Sequence, residues 1–370
     1  MALNPRGRVR AHAARLLAAG VSGRVFPGAV AAIVWRENGE EHEACAAAGT
    51  REPNAGGKIA EDTMFDLGAI TRSVVGVAAL RAHEAGLVDL EAQVEALLPH
   101  VRGGILGEVT LRMLLEHRGG LAAWGGLYLD VPHDPGSVAA RRWLLSEAAR
   151  RDAEGKRGTH VVSDLGYLVA GAALAKAYGA SLADVVAAEV AGPLGLGESL
   201  MYPGALMGDR RAAFAARAAP TERCGFRGRL MVGEVQDENA WAYGGVAGHA
   251  GLFATASALA RLGSRLASAW GDGSELMRSE VLREALTPDA TGTERYGIAR
   301  VSGDPPACGR RMGPGTFGQL GLPGTSLFFD PESQVTVALL TNRICPSRAN
   351  QMIEGFRPAF HDGVLAAIDG

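Results

Sequence analysis

The sequence predicts an α+β chain, with strand signals at both ends and helical signals through the middle. Three observations predict it. An apolar run from Phe26 to Trp35, a turn at Asn38-Gly39 and a second run from His42 to Gly49 read as a hairpin, because Asn-Gly supplies the positive φ angles of a tight turn. Residues 136–150 and 164–192, the latter interrupted at Gly179-Ala180-Ser181, read as helices. Towards the other end, Thr325 to Asp330 and Val335 to Thr341 alternate as sheet strands.

Taken in order, Pro5 to Gly20 scatters Arg6, Arg8, Arg10 and Arg15 among alanines and leucines and reads as an amphipathic helix. After the hairpin, an extended run from Met64 to Leu67 meets Gly68. A helix then begins that is apolar on nearly every side (Val74, Val75, Val77, Ala78, Ala79, Leu80), which predicts burial at the centre of a domain. Its first turn stands at a strand-to-helix corner, where free backbone N–H groups favour negative charge. Ala69 and Arg72 occupy that corner. A final helix is expected from about Arg348 to Ile368, with breaks at Pro358 and Gly363.

The 370 residues suffice for one large domain or two coupled lobes. A formal net charge of −3 points away from nucleic acid and anionic membranes as partners. Cys45, Cys224, Cys308 and Cys345 show no paired spacing, which suits a reducing compartment. The N-terminal segment lacks the unbroken apolar core of roughly 7–15 residues that export requires. No run reaches membrane-spanning length. The expected location is cytoplasmic.

The stretch Phe65-Asp66-Leu67 with Thr71, followed by a buried helix ending in Glu84-Ala85-Gly86-Leu87-Val88-Asp89-Leu90, resembles the serine β-lactamase and DD-peptidase superfamily, in particular its class C-related esterases and peptidases. Val109–Leu121, Gly233–Thr255 (with Gln236 where relatives usually carry His), Thr316–Pro331 and Thr341–Pro346 extend the resemblance, which runs from about Phe26 to Pro346. It implies a β-lactamase/transpeptidase-like fold: an antiparallel sheet flanked by helices, built from residues 1–85 and 255–370, with an all-helical lobe inserted at 86–254.

In that family the corner reads Ser-x-x-Lys. Residues i and i+3 share a helix face, so the Lys amine can accept the Ser proton while the helix N-terminus helps hold the oxyanion. Here the two positions are Ala69 and Arg72. Alanine has no nucleophile, and arginine keeps its proton at any working pH. The family's Tyr-x-Asn or Tyr-x-Asp element places Val162 where the Tyr proton relay stands and Asp164 at the third position, whose implied role is to contact the Lys side chain. The edge-strand motif Lys-Thr-Gly or His-Thr-Gly becomes Gln319-Leu320-Gly321. No catalytic residue is therefore expected. The ligand-pocket candidates are Arg72, Ser163, Asp164, His249, Gln319 and Gly321. Arg72 is expected to pair with Asp164, because unpaired buried charge is costly. His117 is expected at the surface or as a cap. His249 is the best candidate for a functional histidine.

No other Ser-x-x-Lys occurs, nor a Gly-x-Ser-x-Gly elbow, a His-Glu-x-x-His or a phosphate-binding Gly-x-x-x-x-Gly-Lys. A Gly-x-Gly-x-x-Gly at Gly313, Gly315 and Gly318 opens an extended segment, so the dinucleotide reading lacks its helix. Neither cofactor nor metal is expected. The reading is a pseudoenzyme that binds a small ligand, such as a cell-wall peptide or ester, or a protein partner, without acyl transfer. The alternative is a serine hydrolase using Ser163 or Ser73. Their bland roles are a helix cap for Ser163 and a buried hydroxyl bonded to a preceding carbonyl for Ser73.

Overall fold

The computed structural model describes residues 4–53, 57–101, 106–151, 156–287 and 294–370. A seven-stranded sheet runs, in spatial order, Glu40–Gly49, Gly28–Glu37, Val335–Thr341, Ser326–Asp330, Phe317–Leu320, Ile298–Arg300 and Glu294–Arg295, every neighbour antiparallel. Ala29 pairs with Thr341 and Val34 with Thr336, so the N-terminal hairpin is joined directly to the C-terminal strands. Side chains alternate across a strand. Val30, Ala32 and Val34 accordingly enter one core, while Ala29, Ala31, Ile33 and Trp35 enter another on the opposite face.

That second core is closed by the two terminal helices. Pro5–Ser22 is capped by the Asn4 side chain, which accepts from Gly7 N–H at 2.7 Å, and buries Val9, Ala13, Leu17 and Gly20 as one stripe. Ile353–Asp369 is a single helix through both Pro358 and Gly363, contrary to the expected breaks. Its buried Ile353, Phe360, Val364 and Leu365 hold it against the sheet through the proline. Gly363 serves close approach: a Cβ there would lie 2.8 Å from Leu16 Cδ1 on the N-terminal helix.

The larger core surrounds the central helix, Ile70–Glu84, in which every residue from Ile70 to Leu80 is buried. The strand Phe65–Asp66 leads into it and pairs with Phe253–Ala254, which also pairs with Leu200–Met201. The chain between supplies helices that include Leu111–Leu115, Val138–Arg150 and Asp164–Tyr178. Val138–Arg150 starts two residues later than the pattern suggested, because Gly136 sits at φ 77° and the Ser137 side chain caps the helix. No single described helix is long and apolar enough to cross a membrane.

Candidate functional site

The site forms where the first turn of the central helix meets the turn at Tyr296-Gly297. The approach is backbone to backbone. A Cβ on Gly297, whose φ is 69°, would lie 2.3 Å from the Arg72 carbonyl carbon, and one on Gly76 would lie 2.1 Å from the Tyr296 oxygen. Only glycine permits this contact at either position. It brings Glu294, at the end of the sheet, alongside Arg72.

Arg72 is 7 % exposed and held between two carboxylates: Nη1 is 3.2 Å from Asp164 Oδ1 and Nη2 is 3.3 Å from Glu294 Oε1. The pair with Asp164 follows the sequence reading. The pair with Glu294 was not anticipated. The guanidinium also lies over the Tyr167 ring, 5.9 Å from its centroid. Glu294 Oε1 collects two further bonds, from His117 Nε2 at 3.1 Å and from Gln319 Nε2 at 2.8 Å. Burial opposes its ionisation, but Arg72 and then His117 and Gln319 outweigh that and hold its pKa down to about 2.

His117 is buried at 2 % exposure, which corrects the expectation of a surface or capping residue. It follows the short helix Leu111–Leu115 in the left-handed region (φ 58°), and this turns its ring inward, 4.9 Å from Tyr167. Ser163 N–H donates to its Nδ1 at 3.0 Å, so the proton of the neutral ring sits on Nε2 and points to Glu294. Burial lowers the His117 pKa and outweighs the help from Glu294. A second proton would also break the bond to Ser163.

Both serines considered as nucleophiles are engaged. Ser163 caps the helix Asp164–Tyr178: its Oγ accepts from Gly166 N–H at 2.8 Å and donates to the Ala122 carbonyl at 2.6 Å. Ser73 Oγ donates to the Gly297 carbonyl at 2.5 Å, a partner far along the chain and not the preceding carbonyl expected. Gln319 also donates to Gly297 O, at 3.0 Å, and its own Oε1 accepts from Leu320 N–H.

Ala69 is the N-cap of the central helix and offers no side-chain bond, whereas Asn4, Thr110, Ser137, Ser163, Ser181, Asp237 and Thr255 all cap theirs. Its N–H and that of Leu322 donate to nothing among the described residues. The two segments touch, since a Cβ on Gly68 would lie 3.1 Å from Leu322 N. Gly321 is buried on the same seam, its N–H bonded to the Thr325 carbonyl, and makes no bond to the Arg72 cluster. Val162 is 40 % exposed, and Leu320 and Leu322 are exposed likewise.

His249 stands apart from this hydrogen-bond network. Its ring is buried and Nε2 is 3.0 Å from Asp237 Oδ1, which also caps the helix Glu238–Ala242. Burial works against the charged ring, but Asp237 prevails and holds its pKa above the usual value. Among the described residues one trio could hold a metal by proximity: Glu222, Cys224 and Glu238, with ligand atoms within 4.8 Å of one another. Arg348 Nη2 already bonds Glu222 Oε1 at 2.5 Å and Glu238 Oε1 at 2.8 Å, so a cation is in place.

Glu294 and Tyr167 were missed as members of the site. The one available signal was donor count, because a buried guanidinium has five N–H groups and a single carboxylate cannot serve them all.

An antiparallel sheet flanked by helices, with a buried helix whose N-terminus faces a sheet strand, defines a β-lactamase/transpeptidase-like protein. The Beta-lactamase family model matches residues 13–351, and the chain belongs to that family. It is 28 % identical over 347 residues to an N-acetylmuramyl-L-alanine amidase of Bacillus subtilis, covering 84 % of this chain and 76 % of that one. It is 27 % identical over 313 residues to a putative D-alanyl-D-alanine carboxypeptidase of Escherichia coli K12, covering 77 % and 70 %. Among solved structures, EstCE1, a hydrolase with promiscuous acyltransferase activity, superposes with a TM-score of 0.72 at 20 % identity over 96 % of this chain and 98 % of that one. A penicillin-binding protein homologue from Caulobacter crescentus gives 0.71 at 19 % identity over 99 % and 98 %. The family is one of serine hydrolases.

Proposed function

We propose that this chain is a catalytically silent member of its family, which binds a small ligand or a protein partner without acyl transfer. One observation carries the reading: a methyl group stands at the helix N-cap, and the neighbouring cation is locked between Asp164 and Glu294. Acyl transfer needs an attacking oxygen and a proton acceptor beside it. Ser73 and Ser163 each donate to a carbonyl, which cannot take a proton from them. The unpartnered N–H groups of Ala69 and Leu322, beside exposed Val162, Leu320 and Leu322, support retained binding of a carbonyl-bearing ligand. The amidase and carboxypeptidase relatives make a cell-wall peptide the ligand to try first. A cytoplasmic setting belongs to the same proposal, supported by four free thiols, and a reporter fusion would test it.

The test is a chromogenic cephalosporin and a p-nitrophenyl ester, with a fluorophosphonate probe alongside. Neither turnover nor labelling is expected. Turnover that disappears in Ser163→Ala or Ser73→Ala would replace this reading with a serine hydrolase. Binding is read separately, as a rise in melting temperature with D-alanyl-D-alanine peptides.

A further inference from the structure

A second group of buried cations lies behind the turn that follows the strand Phe317–Leu320. Arg343 comes just after the strand Val335–Thr341, Arg357 lies in the C-terminal helix, and each is 6 % exposed. Arg343 Nη1 donates to the Asn350 carbonyl and reaches Gln351 Oε1 at 3.5 Å. Arg357 Nη2 donates to the Gly324 carbonyl at 3.3 Å. All of these acceptors are neutral. Among the described residues, neither guanidinium has a carboxylate within ion-pair distance. The Nε of each is buried without a partner, as is Nε2 of the fully buried His361.

Two like charges buried together are costly unless something neutralises them. Deprotonation does not: burial and then the neighbouring Arg343 lower the Arg357 pKa only to about 10, so it stays charged at neutral pH. Glu354 acts on both at a distance and is exposed. We propose that a small inorganic anion, a halide or a phosphate-like oxoanion, binds between Arg343 and Arg357 and takes up their unused N–H groups. A groove of about 760 Å³, lined by Phe26, Pro27, Thr50, Cys345, Pro346 and Asn350 among others, reaches the residue whose carbonyl Arg343 holds. The groove ends at Asn350, and neither arginine lines it. This site is independent of the Arg72 cluster, and each proposal can fail without the other.

The test is the melting temperature at constant ionic strength in sodium chloride, sodium phosphate and sodium gluconate, for the full chain and for Arg357→Met. The unchanged chain is expected to gain about 2 °C or more in chloride or phosphate over gluconate, and the better of the two identifies the anion class. The variant should lose that difference. Equal melting in all three salts overturns the proposal, and so does an anion-specific gain that survives in the variant. Should Arg357→Met fail to fold, separate bromide and arsenate soaks of crystals of the unchanged chain decide, taken together. An anomalous peak touching both arginines supports the site, and its absence overturns it. A peak with no effect in solution marks an adventitious ion only, and counts against the proposal.

Discussion

Arg72 Nη2 lies 3.3 Å from Glu294 Oε1, and that one carboxylate oxygen also receives His117 Nε2 and Gln319 Nε2. Three segments distant in the chain therefore converge on a single atom of a fourth. Its removal is the sharpest probe of the site.

Glu294→Gln leaves Arg72 with only the partly exposed Asp164 as counter-charge, and breaking a buried pair from one side costs about 3 kcal/mol. Asp164→Asn, at a side chain one-third exposed, should cost less than about 1 kcal/mol. Urea unfolding of the two variants against the unchanged chain checks the order. Equal losses would mean that Glu294 is not the main partner.

Acid should destabilise the fold in two stages. His117 titrates below its ordinary 6.5, so the unfolded chain binds the extra proton first and stability falls as pH drops below about 6.5. Glu294 has a pKa of about 2 against an ordinary 4.5, so its contribution is complete above 4.5 and is lost as pH falls from 4.5 towards 2. In thermal melts, the gap between the unchanged chain and Glu294→Gln should be constant from pH 7 to 5 and close below pH 4.5.

Two of the buried histidines, His117 and His249, should titrate on opposite sides of 6.5. His249 lies above it because Asp237 stabilises its charged ring against burial, and His117 lies below it because burial wins. The His249 contribution is thus complete below 6.5 and lost as pH rises through its folded pKa. NMR titration of the ring protons in the unchanged chain, with His249→Gln for assignment, reads both. Coincident midpoints would refute the contrast.

Restoring the nucleophile alone should not restore chemistry. Ala69→Ser leaves the adjacent cation protonated. Adding Arg72→Lys puts an amine between two carboxylates that hold its proton in place. Both variants should stay at background with p-nitrophenyl esters. Adding Glu294→Gln to the pair relieves that hold, and hydrolysis should rise by about tenfold or more. Activity in Ala69→Ser alone would mean that a base exists elsewhere.

The parts of this architecture that depend on local pattern could be read in the chain itself. Asn38-Gly39 gave the hairpin, the apolar run after Val74 gave the buried helix, and the resemblance placed Ala69 and Arg72 at the positions on which the proposal of lost acyl transfer rests. Aligning Asp164 on its motif position was enough to place it beside Arg72. Glu294 could not be found that way. It sits in no motif, and it reaches Arg72 only because two glycines, Gly76 and Gly297, let a distant turn press onto the helix. His117 was misread for a related reason. Its inward turn is set by a positive φ and by Ser163 N–H, and neither is visible in the residues around it. The unbroken C-terminal helix makes the same point, since Pro358 is overruled by packing against the sheet.

The Gly297 carbonyl accepts from Ser73 on the helix and from Gln319 on the strand. One oxygen thus ties the central helix to the strand. To slide the helix past the strand, both bonds must break at once.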